Sequence, residues 1–235
     1  MNSHKTKLIV ALDTKDADEA ERWATQVGPY ADIIKIGLEF SYACGLRAVS
    51  KLGEGRKIFL DLKLHDIPNT VASAIGSVSI VKPDMLTVHA SGGSAMVKAA
   101  RNALEEHFSP EERPLLLAVT VLTSLDRLAY QETVACGGPR GQVLRLGELA
   151  MVSGADGLVC SPQEISLLRS RLGSTPKLIV PGIRPAGAGN GDQKRVMTPA
   201  EARDAGADWI VVGRPITRSE DPAAAAEAIA KELEG

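Results

Sequence analysis

Short apolar runs rich in β-branched residues recur along this chain: KLIVALD from Lys7, DIIKIGL from Asp32, KIFLDLK from Lys57, MLTVHA from Met85, PLLLAVTVLT from Pro114, GLVCS from Gly157, KLIVPGI from Lys177 and WIVVGR from Trp209. Runs of this length, apolar nearly throughout, predict strands buried on both faces. Between them lie stretches of roughly helical length rich in Ala, Glu, Lys and Arg. Two open with a start signal, Ser161-Pro162-Gln163-Glu164 and Thr198-Pro199-Ala200-Glu201, each a capping box with proline at the first helical position. Strands alternating with helices imply a parallel sheet covered by helices, and eight such units in 235 residues fit one (β/α)8 barrel domain over residues 1–235. The structural rival is an open doubly wound sheet. It usually needs a glycine-rich dinucleotide turn after its first strand, and ALDTKDADEA has none.

Charges interrupt this apolar pattern. The third run carries Asp61 and Lys63, with Asp66 just beyond; Asp13 ends the first run and Lys35 breaks the second. Because side chains alternate across a strand, Phe59, Asp61 and Lys63 are expected on one face and Leu60, Leu62 and Leu64 on the other. In a barrel the leucines would meet the helices and the charges would point inward, at the carboxyl end where barrel active sites are built. A single buried pair reads equally well as a structural ion pair. Four charges on three adjacent strand ends favour function. A lysine flanked by carboxylates stays protonated, so it serves as a fixed cation and proton donor rather than as a Schiff-base nucleophile. Such an array suits an anionic carbon intermediate.

Gly213 and Arg214 end the eighth run, next to the loop after the seventh, and those two loops form the usual phosphate corner of this fold. Two connections stand out: residues 124–140, between the fifth strand and its helix, and residues 181–196. The second sets Gly182, Gly187, Gly189 and Gly191 beside Arg184, Gln193, Lys194 and Arg195. That composition is expected of a lid, the alternative being a solvated surface loop.

Composition narrows the partners. Charged residues make up 24% and the net charge is -2, so no basic footprint argues for nucleic acid and no polybasic run for a membrane surface. No run approaches the ~20 apolar residues needed to span a bilayer. Cys44, Cys136 and Cys160 are odd in number and far apart, which implies a reducing compartment rather than a disulfide framework or zinc site. MNSHKTKLIVALD lacks the longer apolar segment of a signal peptide. A cytoplasmic location and a small neutral or anionic ligand are expected. His65 reads as a structural loop histidine, and His89 as facing the mouth or packing within it.

DLKLHDIPNT resembles the Asp-x-Lys-x-x-Asp-Ile-Pro-x-Thr signature of the orotidine 5′-monophosphate decarboxylases. ALD, IKIG, VLTS, PGIR, GDQKRVMTP and VVGRPIT are similar to that family's other blocks in the same order, so the resemblance covers essentially the whole chain. The Asp-Lys-Asp core is shared with sugar-phosphate enzymes of the same superfamily, normally magnesium-dependent; Ile67, Pro68, Thr70, Gln193 and Arg214 make the signature specific. The resemblance implies decarboxylation of orotidine 5′-monophosphate to uridine 5′-monophosphate without metal or organic cofactor. It assigns Lys63 as the proton donor to C6, Asp61 a place near the substrate carboxylate, and Lys35, Asp61, Lys63 and Asp66 an alternating charge network. Asp13 and Lys35 would hold the ribose hydroxyls, Thr123 the pyrimidine ring, and Gln193, Gly213 and Arg214 the phosphate, with Arg184 in the same closing loop. Ile67 joins the substrate-binding positions. The family also implies a homodimer, with Asp66 and Thr70 completing the neighbouring subunit's site.

Overall fold

The computed structural model describes residues 5–132, 138–185 and 196–234. Eight parallel strands, β1 (Lys7–Ala11), β2 (Ile33–Gly37), β3 (Ile58–Leu64), β4 (Met85–His89), β5 (Leu115–Val119), β6 (Gly157–Val159), β7 (Lys177–Val180) and β8 (Trp209–Val212), follow one another around a closed barrel. The ring shuts where Leu8 pairs with Ile210 and Ile9 with Val211. Ten helices surround it among the described residues: α1 (Ala17–Val27), α2 (Leu38–Leu52), α3 (Pro68–Val78), α4 (Gly93–His107), α5 (Arg127–Gln131), α6 (Pro139–Val152), α7 (Ile165–Leu172), α8 (Pro199–Ala205), α9 (Arg214–Thr217) and α10 (Pro222–Glu234). None of them is long and apolar enough to cross a membrane. The expected (β/α)8 barrel is the fold.

Two apolar layers explain the near-continuous hydrophobic runs. On β1, Leu8 and Val10 belong to the large core between strands and helices, whereas Ile9 and Ala11 join Ile33, Phe59, Met85 and Leu117 inside the barrel. Strands buried on both sides have no polar face to alternate with. Both capping boxes form as the sequence indicates. Ser161 Oγ accepts the Gln163 N–H at 3.2 Å, Glu164 Oε2 accepts the Ser161 N–H at 2.8 Å, and Thr198 with Glu201 repeats the arrangement before α8. Each cap stabilises its helix start by about 1 kcal/mol.

The amino-terminal mouth is fastened by a fourfold device. Asp32, Asp84, Asp156 and Asp208 each stand immediately before an even-numbered strand. Their carboxylates accept the N–H groups of Leu8, Ile58, Leu116 and Leu178 on the preceding odd strand, at 3.0, 2.8, 2.8 and 2.7 Å. Each aspartate N–H returns a bond to the carbonyl of the same partner residue, at 2.9, 2.8, 2.8 and 3.1 Å in the same order. Strand starts that would leave orphan N–H groups inside the wall are thereby satisfied.

One expectation needs correction. The fifth strand stops at Val119 rather than running to Thr123, and the connection that follows contains α5, capped by Asp126, whose Oδ1 accepts the Ala129 N–H at 2.9 Å. A single turn of helix shows no periodicity, so the sequence hid it. Along β3 the expected faces hold, with Phe59 inside the barrel and Leu60, Leu62 and Leu64 towards the helices, but the pairing with β4 slips. Leu60 pairs with Leu86 but Leu64 with Val88, and Lys63 adopts the left-handed region at φ 49°. Four residues of β3 thus run against two of β4, a bulge at the end of the strand.

Candidate active site

Lys35 points from β2 into the barrel, 9% exposed, and its ammonium lies 3.1 Å from Asp13 Oδ1 and 3.7 Å from Asp61 Oδ2. Asp13 follows two residues after β1. Gly37 keeps the space open, since a Cβ there would lie 3.1 Å from the Lys35 Nζ and 3.4 Å from the Asp13 carboxylate. Asp61, 8% exposed, receives the Lys63 ammonium on Oδ2 at 2.7 Å. Leu62 and Leu64 pack against the outer core, so the charged residues of β3 face inward despite the bulge. Asp61 and Lys63 therefore meet as the sequence indicated, by a less regular backbone.

Burial pushes the Asp61 carboxyl up. Lys35 and Lys63, with hydrogen bonds from Lys63 and Thr87, outweigh that and hold it below the ordinary carboxylate range. Burial likewise disfavours the Lys35 ammonium, and Asp61 and Asp13 together overcome it and raise its pKa. Both groups are charged at neutral pH, which makes the cluster an electrostatic field set in place before any ligand arrives. Beside it His65 and His89 stack with ring centroids 5.1 Å apart and a tilt of 34°. Burial first, then His65 and Lys63, keep the His89 imidazole below its usual value, so it is neutral at pH 7. His89 does stand at the mouth.

The remaining expected positions distribute as follows. Gly213 and Arg214 stand where β8 passes into α9, and a Cβ on Gly213 would lie 3.7 Å from Asp13 Oδ2. The phosphate corner and the charge cluster therefore adjoin through Asp13. From β3 to β8 is three strand spacings, roughly 14 Å along the wall, a span a nucleotide bridges. Arg184 sits in the stem after β7, its N–H donating to the Met197 carbonyl at 2.9 Å and its Nη1 to the Ile183 carbonyl at 2.8 Å. Thr123 is half-buried after β5. Asp66, Ile67 and Thr70 are exposed, and the Asp66 carboxylate accepts the Ile67 N–H at 2.7 Å. Among the described residues no ion pair draws Asp66 into its own chain's cluster. Gln193 lies outside the described residues.

Sequence reasoning missed Thr87. This fully buried β4 residue donates its hydroxyl to Asp61 Oδ1 at 2.9 Å and accepts the Lys63 N–H at 2.8 Å. The available signal was its place in MLTVH, between Met85 and His89 on the inward phase of the strand. Among the described residues no group of three His, Cys, Asp or Glu side chains is arranged to hold a metal ion. A recess of about 360 Å³ at the opposite end also gathers charges, but they are exposed and paired among themselves, Lys5 with Glu234 and Lys231 with Glu227. Thr6 there is bound to the Ala207 carbonyl and Asp32 to the Leu8 N–H.

A closed (β/α)8 barrel whose carboxyl mouth gathers two lysines and two aspartates, next to a Gly-Arg corner, has the architecture of a barrel enzyme for a phosphorylated substrate. The comparisons with known proteins are specific. Residues 6–229 match the model of the orotidine 5′-phosphate decarboxylase / HUMPS family, and the chain belongs to that family. It is 55% identical over 232 residues to the orotidine 5′-phosphate decarboxylase of Gluconobacter oxydans, covering 98% of each chain. With that of Thermobifida fusca it shares 50% over 229 residues, 97% of this chain and 95% of the relative. The crystal structure of the Lactobacillus acidophilus orotidine 5′-phosphate decarboxylase superposes with a TM-score of 0.86 at 40% identity, over 98% of this chain and all of the other.

Proposed function

We propose that this chain decarboxylates orotidine 5′-monophosphate to uridine 5′-monophosphate, the last step of de novo pyrimidine nucleotide synthesis, in the cytoplasm and without metal or organic cofactor. The observation that carries this reading is the buried cluster of Lys35, Asp61 and Lys63 at the carboxyl mouth, in a chain of this family. In the reaction the bond from C6 to the carboxylate carbon breaks, carbon dioxide departs, and the electron pair stays on C6. The Lys63 ammonium stabilises that carbanion and then gives it a proton, leaving a neutral amine that regains its proton from water. Asp61, ionised and held by both lysines, orients Lys63 and lies beside the departing carboxylate.

Asp13 and Lys35 hold the ribose hydroxyls, Thr123 addresses the ring, and Gln193, Gly213 and Arg214 bind the phosphate, with Arg184 close by. A carbanion on a ring carbon with little delocalisation is costly. Contacts to the distant phosphate therefore contribute most where they organise the charges around the reacting carbon. Asp66 and Thr70 complete the site of a second copy in a homodimer, and Ile67 joins the substrate-binding positions; the exposure of Asp66 and Thr70 in the single chain, with Asp66 outside its own cluster, supports this.

The direct test is the loss of orotidine absorbance on adding the chain with no metal and with EDTA. Turnover that EDTA abolishes would favour a magnesium-dependent sugar-phosphate enzyme instead. Binding of the nucleotide with no absorbance change would make the barrel a receptor. For the shared site, mixing inactive Asp66→Asn and Lys63→Ala chains should restore part of the activity through hybrid dimers. No recovery after verified subunit exchange would mean self-contained sites.

A further inference from the structure

A hydroxyl buried in a barrel wall is costly unless it is bonded, and a valine of the same shape would fill the place of Thr87 with no polar atom to satisfy. The bulge in β3 supplies the bonds. Lys63, at φ 49° and within the stretch where pairing with β4 slips, has an N–H that finds the Thr87 oxygen at 2.8 Å. A side-chain oxygen from β4 thus stands where a main-chain partner is missing. The proton direction is fixed by chemistry, because an N–H can only donate and an ionised carboxylate can only accept. The single Thr87 proton must therefore point to Asp61 Oδ1, 2.9 Å away. Asp61 Oδ2 meanwhile receives the Lys63 ammonium at 2.7 Å. The loop of bonds is closed: Lys63 main chain to Thr87, Thr87 to Asp61, and Asp61 back to the tip of Lys63.

We propose that Thr87 is a positioning residue for proton delivery, fixing both the backbone from which Lys63 springs and the rotation of the carboxylate that holds its ammonium. The inference rests on the reading of Lys63 as the proton donor. Thr87 acts through Lys63 and Asp61, neither of which can shift without breaking one of its two bonds. The geometry assigns it to the chemical step and leaves the ribose and phosphate contacts to other strands, so the expected damage falls on kcat rather than on KM.

Thr87→Val, Thr87→Ser and Thr87→Cys are compared with the parent chain on orotidine 5′-monophosphate, with thermal melts of each. Thr87→Val is expected to lower kcat by roughly tenfold to a hundredfold, the scale of a misplaced reacting group, with KM within about twofold. Thr87→Ser should recover most of the rate. Thr87→Cys, a weak donor and acceptor, should fall between. The acid limb of the kcat profile should move to higher pH in Thr87→Val, because the Asp61 carboxylate loses a hydrogen bond that favours its charged form. Should Thr87→Val fail to fold, Ser faster than Cys still supports the inference and equal rates overturn it. Turnover of Thr87→Val equal to the parent's, or a loss that only tracks the folded fraction and is not restored by serine, overturns it as well. A parent chain inert towards orotidine 5′-monophosphate would instead overturn the decarboxylase reading, and the role of Thr87 with it.

Discussion

The two mouths of the barrel both carry acidic and basic side chains, and they use them differently. At the amino-terminal mouth Asp32, Asp84, Asp156 and Asp208 are tied to main-chain N–H groups of the neighbouring strand, in the same geometry four times. Arg101 and Arg169 add ion pairs to Asp156 and Asp208 from helices outside. At the carboxyl mouth Asp61 meets the tips of two lysines and one hydroxyl. A carboxylate bound to main chain is committed to the fold, since it cannot leave without opening a strand. Charges held only by the ends of flexible side chains remain available to a ligand. Burial alone does not separate the two uses: Asp208 at 4% and Asp61 at 8% exposure are nearly alike. The partners separate them.

The largest expected break in this contrast comes from Lys63→Ala. Turnover of orotidine 5′-monophosphate should fall by about a thousandfold or more, while the melting temperature moves by only a few degrees, measured by assay and calorimetry on one preparation. At the other mouth the effect should invert. Asp208→Ala leaves the Leu178 N–H without its acceptor and costs about 3 kcal/mol of stability in urea unfolding, with the activity of the folded fraction unchanged. A large loss of turnover there would erase the distinction.

The acid and alkaline responses of the cluster come next in size. Asp61 has a depressed pKa in the native state, so its contribution to stability is complete above the ordinary carboxylate range and is lost as pH falls through the lower native value. Lys35 has a raised pKa, so its contribution is complete below the ordinary lysine range and is lost only as pH rises through the higher native value. Urea midpoints against pH should therefore decline less steeply on the acid side in Asp61→Asn than in the parent. The smallest effect concerns His89 as a reporter of the local field. Its NMR titration should lie below the usual imidazole value and move upward in His65→Ala, though only part of the way, because burial is the larger cause.

Much of the barrel was legible because strands buried on both faces leave long apolar runs, and because Ser161–Glu164 and Thr198–Glu201 carry their caps in the sequence. Lys35, Asp61 and Lys63 were legible as charges in apolar surroundings. Thr87 was not, since threonine is at home in any strand and its role depends on a slipped register that no local pattern records. The lower aspartates were hidden for a related reason. Ala31-Asp32, Pro83-Asp84, Ala155-Asp156 and Ala207-Asp208 look like ordinary turn residues until their partners on the adjacent strand are known.

The unusual backbone of Lys63 bears on how this protein can change in sequence. Side chains other than glycine, and to a lesser degree asparagine, resist that conformation by about 1 kcal/mol or more. The position that supplies an ammonium to Asp61 is therefore also a place where the polypeptide holds itself in an awkward posture. Selection for heat resistance alone would favour glycine there and remove the ammonium that holds Asp61, so durability and the charge cluster pull against each other at a single codon.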